Sequence, residues 1–172
     1  MIMYPDLSTL NSYLQGYISK VPSHMDLITA LDHSHLELLS VLNDISEEKS
    51  TYRYEPGKWS IKTLTMHLTD TERVFQYRAM AIARGEQQNL PGFEEIEYAA
   101  NSLADDIRFE QIVIEYSLVA DSFRTLFENM NAEKSQLTGM ANNMTVTPAI
   151  IGFINAGHRL HHLQVLKERY GV

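Results

Sequence analysis

The sequence predicts an all-α four-helix bundle in which long connections join the helices. Four segments repeat apolar residues at the three- and four-residue spacing of a helix that is buried along one side. No segment alternates apolar and polar residues as a half-buried strand does. The helices are separated by residues 46–59, 85–105 and 131–146. Connections of this length are often functional, and we expect at least one to cross the end of the bundle.

The first bundle helix is predicted over residues 23–45, after a short helix within residues 7–18. Ser23 and Asp26 follow Pro22 and resemble a capping box in which aspartate takes the acidic position. One stripe of this helix is apolar and consists of Ile28, Leu31, Leu38, Leu42 and Ile45.

The second helix is predicted to begin after Ser60, a favourable N-cap residue, and to end at Gly85. Trp59 precedes the cap and can pack on Leu64 one turn into the helix. We therefore expect Trp59 to pack the start of the helix. The apolar residues that follow are Leu68, Phe75, Ala79 and Ile82.

The third and fourth helices are predicted over residues 106–130 and from Thr147 onward. Thr147 suits the N-cap, and Pro148 suits the first helical position, where its missing N–H has no cost. Gly171 lies beyond a basic last turn and marks the end of the fourth helix. Because this helix is apolar nearly all round, we expect it to be central and buried.

The composition narrows the classes of protein to which the chain can belong. We expect residues 1–172 to form a single domain, since this length builds a sizeable core. A net charge of −8 argues against a nucleic-acid partner. No apolar run reaches the length of a membrane span, and the first residues lack the pattern of a signal peptide. With no cysteine in the chain, we expect a cytoplasmic protein without disulfides or thiolate ligands.

Three histidines lie within five positions of the fourth helix. His158 and His162 are about 40° apart on one face, whereas His161 points about 60° to the other side of His158. His67 lies in the middle of the second helix on an inward stripe with Thr71 and Arg78. Alone, each inward histidine is usually a hydrogen-bonded core residue. Together, three buried imidazoles need partners for their nitrogens, and a divalent ion supplies them.

The pattern predicts a mononuclear site at His67, His158 and His162, with further coordination positions left open. Such a three-histidine set is typical of catalytic rather than structural metal sites. The stretch HRLHH has the frame of the H-x-x-E-H zinc motif, but His161 replaces the glutamate, so the built-in general base is missing. No E-x-x-H pair is present, which argues against a di-iron carboxylate bundle.

Other polar residues near these positions have simpler interpretations. We expect His24 and His33 to be solvated, and His35 to be a satisfied core or rim histidine. His161 is expected to pack rather than to ligate. Asp70 is either an acceptor for a ligand N–H or a solvated helix charge. Arg78 is expected to be solvated, with neutralisation of a carboxylate of a thiol cosubstrate as the alternative.

Three blocks of the sequence closely resemble the DinB/YfiT-like superfamily of metal-dependent enzymes, and the likeness extends over residues 4–170. The blocks are YRYEPGKWSIKTLTMHLTDTERVFQYRAMAIARGE, LPGFEEIEY and VTPAIIGFINAGHRLHHLQVLKERY. Tyr54 and Trp59 belong to the first block. The resemblance implies an up-down-down-up bundle and a nickel or zinc ion bound by His67, His158 and His162. It also implies a homodimer, for which the apolar residues Met66, Tyr77 and Met80 are the expected spare surface.

Three functions fit this site. In a thiol-dependent S-transferase, the function we favour, the ion lowers the pKa of a low-molecular-weight thiol, which attacks a small electrophile. Relatives in the superfamily use bacillithiol, mycothiol or glutathione. In a hydrolase, the ion activates water, and Glu94 or Glu95 is available as a base. The third function is a non-enzymatic, DNA-damage-inducible or stress-inducible module whose metal stabilises the bundle.

Overall fold

The helices and strands are described for residues 1–172 by a computed structural model. Four long helices form the bundle, and shorter elements connect them. The helices are α1 (Ser12–Ile18), α2 (Leu27–Asn43), α3 (Glu47–Ser50), α4 (Ile61–Ala83), α5 (Glu95–Asn101), α6 (Phe109–Glu128), α7 (Ala132–Ser135) and α8 (Pro148–Val165). The strands are β1 (Asn89–Leu90), β2 (Gly139–Ala141) and β3 (Met144–Val146). Short 3₁₀ turns cover Leu7–Thr9 and Ala104–Asp106, and a π-helical turn, Leu166–Tyr170, continues α8.

Side-chain caps define where the bundle helices begin. Ser60 Oγ accepts from the N–H of Thr63 at 3.0 Å, and Thr147 caps α8 ahead of Pro148, as predicted. The predicted start of the first helix at Ser23 is wrong. Asp26 caps α2 instead, because the N–H of Met25 bonds back to the carbonyl of Pro22 and closes a turn there.

The third bundle helix also begins later than predicted. A 3₁₀ turn occupies Ala104–Asp106, and α6 starts only at Phe109. The chain reaches this turn through Leu103, whose backbone is left-handed with φ of 53°. Ile107 and Arg108 after the turn have extended backbones, with ψ of 142° and 134°, so the helix begins only at Phe109 and the apolar pattern overestimates it by three residues.

The directions of the four helices confirm the up-down-down-up topology. The beginning of α2 lies beside the end of α6, so these two helices are antiparallel. The beginnings of α4 and α6 lie together, and so do those of α2 and α8, so each of these pairs is parallel. The contacts are Asp32 with Arg124, Lys62 with the carbonyl of Ile107, and Leu27 with Gly152. Because α4 and α6 are parallel neighbours, residues 84–108 must return along the bundle, which is the predicted crossover.

A small three-stranded sheet joins the two long connections, and the sequence did not predict it. β1 pairs in parallel with β2, with Asn89 opposite Met140, and β2 pairs antiparallel with β3. Asn142 and Asn143 form the two-residue turn with φ of 50° and 60°, a conformation that asparagine tolerates. Strands of two or three residues are too short for alternation to be visible in a sequence.

Burial confirms that α8 is the central helix, since most of its residues are inaccessible to solvent. The surface expected for pairing is partly wrong: Met66 is buried in the core, whereas Tyr77 is half exposed. Large exposed apolar side chains lie instead on the neighbouring helices α2 and α6, at Leu36, Ile114 and Leu118.

None of the helices combines the length and the apolar character that a membrane span requires.

A buried ion pair joins all four bundle helices. Arg159 of α8 forms two hydrogen bonds with the carboxylate of Glu72 on α4, one from Nε at 3.2 Å and one from Nη2. Its Nη1 donates to the carbonyl of Leu31 on α2 at 3.0 Å. The guanidinium also lies 5.9 Å from the ring centroid of Tyr116 on α6. Both charged side chains are at most 2 % exposed, so each depends on the other for compensation.

We expect Glu72→Ala to lower the free energy of unfolding by about 3–5 kcal/mol, because it leaves the guanidinium of Arg159 buried without a counter-charge. Urea unfolding of metal-free protein measures this. The control is Glu128→Ala, which removes an exposed partner of Arg124 and is expected to cost about 0.5 kcal/mol. The double variant Glu72→Leu/Arg159→Met should regain much of the loss. If Glu72→Ala were as stable as Glu128→Ala, the buried ion pair would not contribute to stability as expected.

Candidate metal centre

Three imidazoles converge between α4 and α8. Nε2 of His158 lies 3.3 Å from Nε2 of His67 and 3.1 Å from Nε2 of His162. One nitrogen from each of the three residues lies within 4.8 Å of the other two. His67 and His158 are buried, and His162 is half-buried. The structure thus brings together the three histidines that the sequence selected.

Two of the three separations between these nitrogens, 3.3 and 3.1 Å, are those expected around one divalent ion, and the third is within 4.8 Å. Tetrahedral ligands at Zn–N distances of about 2.0–2.1 Å have nitrogens roughly 3.3–3.4 Å apart. Hydrogen bonds alone do not account for the cluster, because a neutral imidazole has one N–H, and Nε2 of His158 faces two other Nε2 atoms. The donor set is neutral nitrogen, which suits zinc, nickel and other first-row ions.

Burial keeps these imidazoles uncharged. It lowers the pKa of His67 to about 4 and holds the pKa of His158 and of His162 well below the usual range. For His158 and His162, repulsion from the neighbouring imidazoles lowers the pKa further. The three rings are therefore neutral near pH 7, the protonation state in which histidine binds metal ions.

The outer nitrogens of the cluster lack the partners that metal ligands usually have. Nδ1 of His158 and Nδ1 of His162 are buried without a hydrogen-bond partner in the protein. Asp70, the candidate acceptor, lies 3.3 Å from Arg73 and forms no hydrogen bond with an imidazole. Asp70 is therefore a partly covered helix charge paired with Arg73, and not an acceptor for a ligand N–H. Aromatic packing, rather than a carboxylate, holds these rings in place.

Two aromatic side chains cover the imidazoles. The ring of Trp59 lies 4.8 Å from the ring of His67, and the ring of Tyr17 lies 5.5 Å from that of His158. Trp59 is thus part of the histidine cluster, beyond its expected role at the start of α4. Tyr54, from the same sequence block, packs on Tyr170 with the ring centroids 5.0 Å apart.

The remaining histidines lie outside the cluster of nitrogens. His161 is half-buried and packs 5.7 Å from the ring of Tyr17, in accord with the packing role predicted for it. Nδ1 of His35 is 3.4 Å from the hydroxyl of Tyr116, which fits a satisfied rim histidine. His24 is exposed, as expected, whereas His33 is partly covered.

A cavity of about 150 Å³ adjoins His67 and His158. α1, α4 and α8 form part of its wall, and the two connections carrying the small sheet complete it. The other lining residues are Tyr13, Leu14, Tyr17, Thr71, Phe75, Arg78, Phe93, Glu95, Ala141, Asn142, Met144, Val146, Ile151 and Ile154. A volume of this size accommodates a molecule about as large as benzene.

Two charged residues line this cavity, Arg78 and Glu95, and the sequence alone did not predict this position for either. Arg78 was expected to be solvated, but it is only 7 % exposed, because the crossover covers it and the carbonyl of Pro91 accepts from its Nη2 at 2.5 Å. Glu95 at the start of α5 lines the cavity, whereas Glu94 does not. Glu95 is thus the carboxylate available to a molecule in the cavity.

The sequence did not indicate the part of the wall that comes from the connections. Phe93 and Met144 belong to segments without helical periodicity, so nothing placed them near the histidines. The pair Asn142–Asn143 was the one available signal, since two consecutive asparagines between short apolar runs favour a tight turn.

Comparisons with known proteins agree with this geometry. The sequence pattern of the DinB superfamily matches residues 30–166. YfiT from Bacillus subtilis has a similar structure, with a TM-score of 0.70 and 12% sequence identity over 98% of this chain and 94% of that one. That protein is described as a probable metal-dependent hydrolase with an unusual four-helix bundle topology. No curated protein matches this chain by sequence.

We expect Gly157→Ala to displace α1 from the histidine cluster. A Cβ at Gly157 would lie 2.1 Å from the carbonyl oxygen of Tyr17, so the backbone must move. The expected cost is about 1–3 kcal/mol in urea unfolding. Gly16→Ala is the control, because its Cβ meets nothing within 4 Å and should stabilise α1 by up to about 1 kcal/mol. Equal effects at the two positions would show that the close approach at Gly157 is unimportant.

We expect purified protein to bind one divalent ion per chain and to gain thermal stability from it. His158→Ala should abolish stoichiometric binding, because it removes the central nitrogen of the cluster. His161→Ala should bind like the wild type, since its ring packs on Tyr17 outside the cluster. Elemental analysis and titration calorimetry with Zn²⁺ and Ni²⁺ measure this. Unchanged metal content in a His67→Ala/His162→Ala double variant would exclude the site.

Proposed function

Because the chain belongs to the DinB superfamily, we propose that it is a metal-dependent enzyme whose ion is held by His67, His158 and His162. We further propose that it transfers a low-molecular-weight thiol to a small electrophile. The observation that carries the proposal is a set of three neutral imidazole nitrogens beside a small, largely apolar cavity. A divalent ion at this position lowers the pKa of a coordinated thiol or water and so supplies a nucleophile.

The donor set favours the thiol. Three neutral ligands leave the full positive charge of an ion available to an anionic thiolate. No carboxylate forms a hydrogen bond with any of the three imidazoles, so the cluster contains no general base of its own. A thiol is far more acidic than water and needs less assistance to lose its proton. The chain has no cysteine, so the thiol must be a cosubstrate.

The residues around the cluster have separate roles in this proposal. Tyr17 and Phe75 exclude water from one side of the imidazoles, and Trp59 covers His67. A dry wall strengthens the attraction between a cation and a thiolate, because little solvent screens it. The cavity receives the electrophile, and its small volume limits the part of the substrate that becomes enclosed.

Hydrolysis is the second candidate, and the position of Glu95 favours it. Glu95 is the one carboxylate on the cavity wall and is exposed to solvent at the start of α5. From there it can accept a proton from an attacking water, the role of a general base. The structurally similar YfiT is described as a probable hydrolase, although likeness at 12% identity shows only the fold.

The formation of a homodimer by two copies of this chain remains a prediction. The exposed side chains of Leu36, Ile114 and Leu118 on α2 and α6 provide apolar surface for it. We propose that these residues, rather than Met66, contribute to the contact between chains, because Met66 is buried.

One pair of assays separates the two reactions. Metal-loaded protein is incubated with bacillithiol, mycothiol or glutathione and monochlorobimane, and in parallel with p-nitrophenyl esters. We expect thiol conjugation that falls about a hundredfold or more in His158→Ala and is unchanged in His161→Ala. Glu95→Gln should leave conjugation unchanged, since the thiol needs no base.

Ester turnover that requires both the ion and Glu95 would make the hydrolase correct. No detectable activity in either assay, together with stability that depends on the metal, would support a non-enzymatic metal-binding module instead.

A further inference from the structure

Three cationic side chains are buried in this protein, and Arg78 is the one that forms no ion pair with a carboxylate. Lys62 pairs with Glu47, and Arg159 pairs with Glu72. No carboxylate oxygen lies within 4.0 Å of the guanidinium of Arg78. A buried charge without a counter-charge is destabilising, so its retention calls for an anion that the protein itself does not supply.

The hydrogen bonds of Arg78 leave part of its donor set free. Nη2 donates to the carbonyl of Pro91, and Nε is buried without a partner. The hydroxyl of Thr71, almost two turns earlier on the same face of α4, is also buried without a partner. Both residues line the cavity that adjoins His67 and His158. One helix face thus carries His67, Thr71 and Arg78 along a single cavity. Nε of Arg78 and the hydroxyl of Thr71 are enclosed by protein atoms, whereas Nη1 of Arg78 has no partner in the protein and is not enclosed.

A purely structural role does not account for this arrangement. The carbonyl of Pro91 satisfies one donor but carries no charge to balance the guanidinium. Glu95 shares the cavity wall but forms no ion pair with Arg78, and Tyr13 is neutral near pH 7. The imidazoles of the cluster are neutral too. Glu95 is thus the one anionic group on the cavity wall, and its carboxylate oxygens lie more than 4.0 Å from the guanidinium of Arg78.

We propose that Arg78 binds the carboxylate of the small molecule that reacts at the three histidines. Nη1 of the guanidinium can donate a charge-assisted hydrogen bond to a carboxylate oxygen, the anion that arginine recognises best. A phosphate fits less well, since a dianion would require more than one cation, and the remaining wall is largely apolar. The substrate class is thus a small carboxylic acid, or a thiol bearing a carboxylate, with a short apolar segment.

The size of that segment is limited by the cavity. The cavity volume of about 150 Å³ accommodates a group roughly the size of benzene, or about six carbon atoms.

This inference rests on the proposed function only for the reacting end of the substrate, so carboxylate binding can be tested without catalysis. Straight-chain carboxylates of two to eight carbons and their primary amides are titrated into metal-free protein and followed by NMR. We expect the wild type to prefer the carboxylate by roughly tenfold to a hundredfold, the usual advantage of a charged hydrogen bond. Binding should weaken for acids longer than about six carbons, since the cavity accommodates a group about as large as benzene.

Arg78→Met should lose this preference, and Arg78→Gln serves the same purpose should the first variant fail to fold. The matched control is Arg84→Met, which removes an exposed arginine at the end of the same helix and should behave like the wild type. Equal binding of carboxylate and amide by the wild type would overturn the proposal, as would a preference that persists without Arg78. Failure of both enzyme assays with carboxylate binding intact would reject the proposed reaction but not this site.

Discussion

The buried pair of Glu72 and Arg159 is the constraint on which the arrangement of the bundle depends. Its contacts reach α2 through Leu31 and α6 through Tyr116, so one guanidinium connects four helices. Rotation or sliding of any of these helices would leave a charge or a hydrogen-bond donor buried without a partner. A purely apolar core tolerates such shifts more easily, because apolar contacts are not directional. The pair therefore selects one packing among several of similar apolar burial.

The histidine cluster lies between two of the helices that the ion pair joins. On α4, His67 and Glu72 lie about 140° apart around the axis, and on α8, His158 and Arg159 lie about 100° apart. The ion pair and the imidazoles therefore occupy different sides of the contact between α4 and α8. Both the ion pair and the 3.3 Å between Nε2 of His67 and Nε2 of His158 require the same relative placement of these two helices.

The sequence predicts what depends on short-range periodicity and misses what depends on the connections. Spacing alone placed His158 and His162 on one face and Thr71 and Arg78 on the stripe of His67, because helical geometry is regular. It did not predict that Arg78 is buried, since the segment that covers it has no helical pattern. The pairing of Glu72 with Arg159 was equally invisible, because 87 positions separate the two residues.

Arg159 and Arg78 show how the same residue type is used in two ways within one core. Arg159 has a carboxylate, a carbonyl and an aromatic ring around it, so a further ligand would have to displace a satisfied contact. Arg78 has one carbonyl and a buried Nε that is still free. Proteins accept the cost of an uncompensated polar group where binding a ligand recovers it. Satisfaction of hydrogen bonds, rather than burial, therefore distinguishes the arginine that holds the bundle from the one that is free for a ligand.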